Sequence, residues 1–186
     1  GRHDPRPEEP PVDSFADRAE NWVALMGAAR GLHPITRACM GFHLWSLAGL
    51  GQMGDQLEAT VTAVRIAASE GQGAAFAPMA MGGAGGLRAG GDPAARLVRW
   101  LSGMESGILS AMRHLDQIGD WSERAEAAMA ELSGRTPARL RAALRDWLIV
   151  SAPMAEELTG ASRAAVQRNL TWMEEHGLVR EVTGQN

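Results

Sequence analysis

The chain has 186 residues, of which 45% are apolar and 22% charged, and its formal net charge is −4. These proportions are typical of a folded globular protein of one ordinary domain, or of one domain and a smaller one. No apolar run approaches the ~18 residues that a membrane span needs, which predicts a soluble, cytoplasmic protein without a membrane partner. All eighteen basic residues are arginine. Arginine suits phosphate and guanine, but a genome's base composition can produce the same bias.

The cysteine and histidine patterns exclude the common metal sites and give no sign of catalysis. Cys39 is the only cysteine, so neither an intrachain disulfide nor a cysteine-based zinc site can form, and its apolar setting predicts a buried, inert thiol. His33, His43 and His114 lack metal-binding spacing, so we expect no metal and no cofactor. No G-x-S-x-G sequence occurs, and we expect no catalytic residue and no enzyme. A site completed by a missing N-terminal region is the remaining enzymatic alternative.

The first part of the chain is predicted to be a leader followed by a helical domain. Residues 1–13 are rich in proline and acidic groups, which predicts a flexible leader. They contain neither an initiator methionine nor an apolar signal core, so we interpret the sequence as a piece of a larger protein. Residues 14–134 show helical apolar spacing and form the predicted helical domain of unknown function. Its first three helices are predicted at residues 14–31, 33–49 and 55–70.

A glycine-rich segment interrupts this helical pattern. Residues 71–91 contain eight glycines, which raises the possibility of a loop that holds phosphate. Neither a G-x-G-x-x-G nor a G-x-x-x-x-G-K-[ST] register is present, and the chain has no lysine. The segment is therefore predicted to be a long connection between helices, partly held by its apolar side chains.

The longest helix is predicted to begin at Asp92-Pro93 and to end near Ile118. Asp120 is then expected to cap a further helix, which Gly134 ends. The longest helix carries apolar residues at four-three spacing for three heptads, namely Leu97, Leu101, Met104, Ile108, Ala111, Leu115 and Ile118. Such a strip can pair with a helix of another chain, as in a possible homodimer, or form the central helix of a bundle.

Residues 135–186 read as a winged helix-turn-helix, which makes the predicted fold class mainly α. A first helix starts at Thr136-Pro137, with an apolar face of Leu140, Ala143, Leu144, Trp147 and Leu148. A short helix with Met154 and Leu158 on its inner face follows, and a Thr159-Gly160-Ala161 turn leads to a second helix capped by Ser162. That second helix buries Val166, Leu170 and Met173, and Gly177 ends it. The β-branched residues of 178–183 predict a short wing strand.

The outer face of the second helix is the candidate site for double-stranded DNA. Arg163 and Gln167 are predicted to read bases, since arginine bonds guanine and glutamine bonds adenine in a bidentate manner. Ser162, Arg168 and Arg180 are expected to position phosphates. Within residues 135–186, seven arginines stand against six acidic residues, a net charge of +1. One copy should therefore bind DNA modestly and in a salt-sensitive way.

Several strings resemble a set of alphaproteobacterial proteins, often plasmid-encoded, that pair a helical domain of unknown function with a C-terminal helix-turn-helix DNA-binding domain. The strings are GLHPITR (31–37), GFHLW (41–45), AVRIAASEG (63–71), LRAGGDP (87–93), LSGRTP (132–137), SAPMAE (151–156) and LTGASRAAVQRNL (158–170). The resemblance covers most of residues 16–186 and implies DNA binding. The recognition helix is also similar to that of broader winged-helix regulators, whose matching positions fall on Ser162, Arg163, Ala165 and Gln167. Ala165 departs from the hydroxyl residue common there.

These observations predict a bacterial DNA-binding protein, acting as a transcriptional regulator or a plasmid-maintenance factor. The helical domain would supply dimerisation, partner contact or the sensing of an effector that the sequence does not identify. The alternative is a protein-interaction adaptor whose winged helix docks a protein partner, because the near-zero charge of the C-terminal module suits that role as well.

Overall fold

The computed structural model describes residues 13–52, 55–71 and 73–182, and the fold is mainly helical. The predicted leader, residues 1–13, therefore lies outside the described part except for Asp13. Across the described residues there is no β-strand, and none of the helices contains an apolar stretch of the length that a bilayer span requires. The helices are α1 (Phe15–Ala28), α2 (Pro34–Leu47), α3 (Leu57–Ala67), α4 (Pro93–Ala128), α5 (Thr136–Asp146), α6 (Ala152–Thr159) and α7 (Arg163–Glu175).

The predicted starts of the first two helices are confirmed by their caps. Ser14 caps α1: its hydroxyl accepts a hydrogen bond from the Asp17 N–H at 3.2 Å, and the Asp17 carboxylate accepts one from the Ser14 N–H at 3.0 Å. The Ser14 hydroxyl also donates to the Asp17 carboxylate at 2.7 Å, and this bond, followed by the one from the Ser14 N–H, holds the pKa of Asp17 below its usual value. His33 caps α2, since its Nδ1 accepts from the Ile35 N–H at 3.3 Å while Pro34 occupies the first turn.

The chain divides into two compact units within helix α4. Unit one comprises residues 1–111 and unit two residues 112–186, whereas the sequence placed the boundary between residues 134 and 135. Unit two starts earlier because Trp121 and Ala125 of α4 pack into its core. The predicted helix break at Asp120 is wrong, since α4 runs without interruption past that residue. A single helical glycine such as the neighbouring Gly119 costs only about 1 kcal/mol, which is too little to end a helix whose apolar pattern continues.

The core of unit one lies between α2, α3 and α4. Phe42 of α2 and Trp100 of α4 are fully buried, with ring centroids 5.5 Å apart. Cys39 is buried in the same core, as predicted, and burial raises the pKa of its thiol to about 11. A thiol held so far into its neutral form is a packing group at ordinary pH.

The glycine-rich segment is packed against α4 instead of crossing solvent. It forms two short 3₁₀ turns, Met79–Gly82 and Ala84–Leu87, and the side chain of Met79 is fully buried. A Cβ on Gly103 of α4 would come within 3.1 Å of the Gly86 Cα. A Cβ on Gly82 would overlap the Gly103 carbonyl oxygen, and one on Gly107 would overlap the Pro78 carbonyl oxygen. The prediction of a connection held by apolar residues is confirmed, and the glycines allow two backbones to touch.

Unit two packs α5, α6 and α7 around a second core. Its buried members are Ala125, Met129, Leu140, Leu144, Ala155, Val166 and Met173. The prediction that Trp147 and Leu148 lie on the apolar face of α5 is wrong, because α5 ends at Asp146 and both side chains are exposed. The predicted inner face of α6 is also displaced. Ala155 and Thr159 are its buried residues, while Leu158 is 44% exposed.

Candidate nucleic-acid interface

A three-residue turn joins α6 to α7 and sets their geometry. Gly160 has φ +63°, a left-handed conformation that glycine adopts without strain. The hydroxyl of buried Thr159 donates to the Ala155 carbonyl at 2.6 Å and accepts from the Ala161 N–H at 3.3 Å. From α5, Arg139 Nη1 donates to the Thr159 carbonyl oxygen at 2.9 Å. The turn is therefore held by two side chains, the Thr159 hydroxyl and the Arg139 guanidinium.

The first turn of α7 is capped as the sequence predicted. Ser162 has an extended backbone, and its hydroxyl accepts from the Ala165 N–H at 3.4 Å. Val166 and Met173 are fully buried beneath the helix, and Leu170 packs against the same core while partly buried. This stripe decides which face of α7 points away from unit two.

The outward face of α7 carries the predicted base-reading and phosphate-binding groups. Arg163, Gln167 and Arg168 are exposed, and within residues 13–52, 55–71 and 73–182 neither arginine has an ion-pair partner. Arg163 and Gln167 are four residues apart, so they lie one above the other on the helix. Ala164 and Thr171, also exposed, are small enough to let a partner approach the helix closely.

Two of the predicted site residues are placed differently from this group. Ala165 is half-buried at the edge of the Val166 stripe, so its side chain adds little to an outward surface. Arg180 is exposed but follows the far end of α7, a helix whose thirteen residues span about 20 Å. The structure thus groups Ser162, Arg163, Gln167 and Arg168, and it leaves Arg180 apart from them.

The segment after α7 is anchored without forming the predicted strand. The Gly177 N–H donates to the Glu174 carbonyl at 2.9 Å and the Leu178 N–H to the Met173 carbonyl at 2.8 Å. This is a Schellman ending with glycine in the left-handed conformation. Trp121 Nε1 also donates to the Leu178 carbonyl at 2.7 Å. The strand prediction is wrong for residues 178–182, because these backbone groups bond to α7 and to a tryptophan instead of to a neighbouring strand, and Thr183 lies outside the described part.

Charge is distributed unevenly along α7. Arg163 and Arg168 lie in its N-terminal half, where the helix dipole is also positive, while Glu174 and Glu175 lie in its last turn. A polyanion would therefore meet an attractive surface at the N-terminal half and a repulsive one at the C-terminal end.

A metal site needs several ligating side chains close together in the described residues. No group of three or more His, Cys, Asp or Glu side chains able to hold a metal occurs among them. Burial, followed by the nearby Arg96 and Arg99, lowers the pKa of His43, which favours the neutral form of that ring. His43 lies in unit one, on the helix that also carries Cys39, and belongs to the packing of that unit.

Sequence reasoning missed the residues that hold the turn. Arg139 and Thr159 are twenty residues apart, and their bond closes only when α5 packs against α6. Trp121 is fifty-seven residues from Leu178. The one local signal was Thr159 beside Gly160, which the sequence interpretation used only as part of a turn.

Replacing Thr159 with valine tests whether its hydroxyl holds the turn. We expect Thr159→Val to destabilise unit two by about 1–3 kcal/mol, because the partly buried Ala161 N–H loses its acceptor. Thr159→Ser is the matched control, since it keeps the hydroxyl and removes one methyl group. Urea unfolding followed by tryptophan fluorescence measures both variants. Equal stability of Thr159→Val and the wild type would contradict the role given to the hydroxyl.

Comparison with models of known protein families, with curated proteins and with solved structures finds no match.

Proposed function

We propose that unit two is a helix-turn-helix module that binds double-stranded DNA through the outward face of α7. In this proposal the helix-turn-helix consists of α6, the turn of residues 160–162 and α7, and α5 supports it. The chain would act as a DNA-binding regulator or plasmid-maintenance factor. Arg163 and Gln167 contact base edges, and Ser162 and Arg168 contact the backbone.

The observation that carries the proposal is the combination of exposure and rigidity at the start of α7. Arg163, Gln167 and Arg168 are exposed, while the helix beneath them is fixed by the buried Val166 and by the Ser162 cap. Recognition helices insert their N-terminal residues into the major groove, which fits the basic N-terminal half of α7 and the acidic C-terminal end. Arg180 is at most a peripheral phosphate contact in this arrangement.

The experiment that tests DNA binding is a salt titration with a random-sequence duplex. Each phosphate neutralised by an arginine contributes about −0.9 to the slope of log K against log salt. With Arg163 and Arg168 engaged, we expect a slope near −2 for one bound copy, measured by fluorescence anisotropy. A flat salt dependence at measurable affinity would contradict the proposal. Arg168→Ala should lower the slope by about one while affecting all duplex sequences equally.

A protein-interaction adaptor is the second candidate function, and a specific surface favours it. Trp147, Leu148 and Ile149 are consecutive in the connection between α5 and α6, and they are 52%, 71% and 77% exposed. Apolar side chains clustered in this way on a module of nearly neutral charge are typical of protein contact sites. If the protein is an adaptor, we expect a Trp147→Ala/Leu148→Ser variant to lose binding to the protein partner. In that case neither the wild type nor the variant should bind DNA.

A further inference from the structure

Four arginines lie in helix α5 or at its N-cap, and two of them have no carboxylate partner. The paired ones are Arg141 with Glu126 at 2.6 Å and Arg145 with Asp146 at 3.2 Å. The other two, Arg135 and Arg139, are exposed, and neither forms an ion pair in the described part of the chain. Unit two therefore presents two guanidinium groups on α5 whose charges no described side chain neutralises.

Arg139 is held at the turn that leads into α7. Its Nη1 donates to the Thr159 carbonyl oxygen at 2.9 Å, and the same atom would lie 3.7 Å from a Cβ on Gly160. Arg163, the first residue of α7, follows shortly after this glycine. A guanidinium has several N–H groups in a fixed fork, and the bond to Thr159 uses one of them. Arg139 thus offers oriented donors beside the N-terminal end of α7.

The exposed face of α5 allows a partner to come close to these donors. Arg135 has helical backbone angles and precedes Arg139 by four residues, so the two side chains lie one above the other. Ala138 and Ala142 are exposed beside them, and their side chains are too short to keep a partner away. The fully buried Leu140 holds the other side of the helix against the core of unit two.

From this arrangement we infer that α5 is a second DNA-contacting element, in which Arg139 and Arg135 bind phosphates beside the groove that α7 enters. The inference rests on the proposed binding of DNA by α7 and adds a surface to it. A guanidinium can bond a carbonyl and a phosphate through different N–H groups, so Arg139 keeps its bond to Thr159 in the complex. Because that bond already orders the side chain, binding a phosphate costs Arg139 less conformational entropy than it costs a free arginine.

The charges around the turn favour a phosphate backbone as the partner. Arg139 lies at the turn and Arg163 begins the helix after it, so two guanidiniums adjoin one short stretch of chain. Glu156 and Glu157 of α6 precede the turn, but neither forms an ion pair with a described residue. A DNA strand presents one negative charge per ~3.4 Å of helix axis, which suits guanidiniums on adjoining helices.

The salt dependence of binding to random-sequence duplex tests how many phosphates the full chain neutralises. Arg163 and Arg168 alone give a slope near −2, whereas the addition of Arg135 and Arg139 makes the slope about −3.6. Arg139→Gln and Arg135→Gln should each reduce the steepness by about 0.9, which weakens binding at 0.1 M salt by about eightfold. Arg145→Gln is the matched control, because this arginine of the same helix is already paired with a carboxylate, and it should leave the slope unchanged.

Stability is measured beside affinity, because Arg139→Gln also removes the bond to the turn. Urea unfolding reports any loss of folded unit two. A purely structural effect would lower the affinity without changing the salt slope, since the slope counts the counterions released by the bound state. The side chain of Arg135 donates no hydrogen bond to the turn. Arg135→Gln therefore tests the surface even if Arg139→Gln does not fold.

Uncharged phosphate analogues locate the contact. In a duplex selected from a random pool by the full chain, each phosphate in turn is replaced by a methylphosphonate. We expect at least one position at which the replacement weakens binding of the wild type by about 5- to 10-fold and binding of Arg139→Gln by less than about twofold. If every position has the same effect on the wild type and on both variants, the inference is overturned.

Failure of this inference and failure of the proposed function give different results. A slope near −2 that neither Arg139→Gln nor Arg135→Gln changes would refute contact by α5 and leave DNA binding by α7 standing. Duplex binding without salt dependence would refute both. Polyglutamate is the probe for an acidic protein partner. If it binds more tightly than duplex and both variants lose that binding, the two arginines belong to a protein contact and the inference is refuted.

Discussion

Replacing Gly107 with alanine should destabilise unit one by about 2–4 kcal/mol, although alanine is the better helix former by about 1 kcal/mol. Gly107 lies in the interior of α4, where its added Cβ would overlap the Pro78 carbonyl oxygen and approach the Gly82 N at 3.3 Å. Both atoms belong to backbone, which cannot rotate away as a side chain can. The steric term therefore outweighs the helix propensity.

The buried thiol of Cys39 provides a measurement confined to unit one. It lies in the core of that unit, next to Phe42 and Trp100, so a thiol reagent reaches it only when the unit opens. A loss of 2–4 kcal/mol corresponds to labelling that is roughly 30 to 1,000 times faster when opening and closing are rapid.

Gly27 supplies a matched control in the same unit. It is the next-to-last residue of α1, and an added Cβ would meet nothing within 4 Å, so Gly27→Ala should slow the labelling of Cys39, by less than the about fivefold expected in a helix interior. Slower labelling in both variants would mean that the glycine-rich segment does not rest on α4. We expect Gly107→Ala to speed the labelling of Cys39 and Gly27→Ala to slow it. Because both variants replace a helical glycine with alanine, this difference would identify the contact of Gly107 with the Pro78 backbone as the cause.

The glycine contacts also illustrate what local sequence patterns can and cannot predict. Ser14 and Ser162 were recognisable as helix caps because a cap is made within four residues. The packing of Gly82 on Gly103 joins residues twenty-one apart and depends on the path of the whole connection. The sequence therefore predicted a connection partly held by apolar side chains but not which glycines meet. The continuity of α4 past Asp120 was missed for a related reason, since Asp120 followed by an apolar pattern resembles a helix start.

The sequence predicted which face of α7 is buried, but it did not predict the structure that follows this helix. The burial of Val166 and Met173 follows from helical periodicity, and their burial determines that Arg163 and Gln167 point outward. The predicted wing strand is absent from residues 178–182. A strand forms only when it pairs with another strand, and the local sequence does not show whether such a partner is present. Arg139, which holds the turn through Thr159, carries no signal that distinguishes it from the other arginines of α5.

Arg163 is the residue at which DNA binding should be most sensitive. For a duplex selected from a random pool by the full chain, Arg163→Ala should lower the affinity by about 5- to 150-fold, which corresponds to 1–3 kcal/mol. For random duplex the loss should be smaller, because only the charge contribution disappears there. Anisotropy titrations with both duplexes at one salt concentration give the two numbers.

Two further variants separate the roles of charge and shape at this position. Arg163→Lys keeps the positive charge but loses the planar fork that bonds two acceptors of guanine. It should therefore keep most of the random-duplex affinity and lose most of the preference for the selected site. Arg145→Ala is the control, since Arg145 is exposed near the end of α5 and pairs with Asp146 at 3.2 Å. We expect it to leave both affinities within about twofold.

The comparison of the two duplexes decides which role Arg163 has in DNA binding. An unchanged affinity of Arg163→Ala for the selected duplex would remove α7 as the reading helix, whatever the affinity of the intact chain. A loss that is equal on selected and random duplexes would assign Arg163 to phosphate and leave Gln167 as the base-reading candidate. Direct base recognition by Arg163 predicts a loss of affinity that is concentrated on the selected duplex, that Arg163→Lys shares and that Arg145→Ala does not show. Arg163→Lys keeps the positive charge, so a loss of charge alone cannot produce this result. A general loss of folding would lower the affinity for both duplexes.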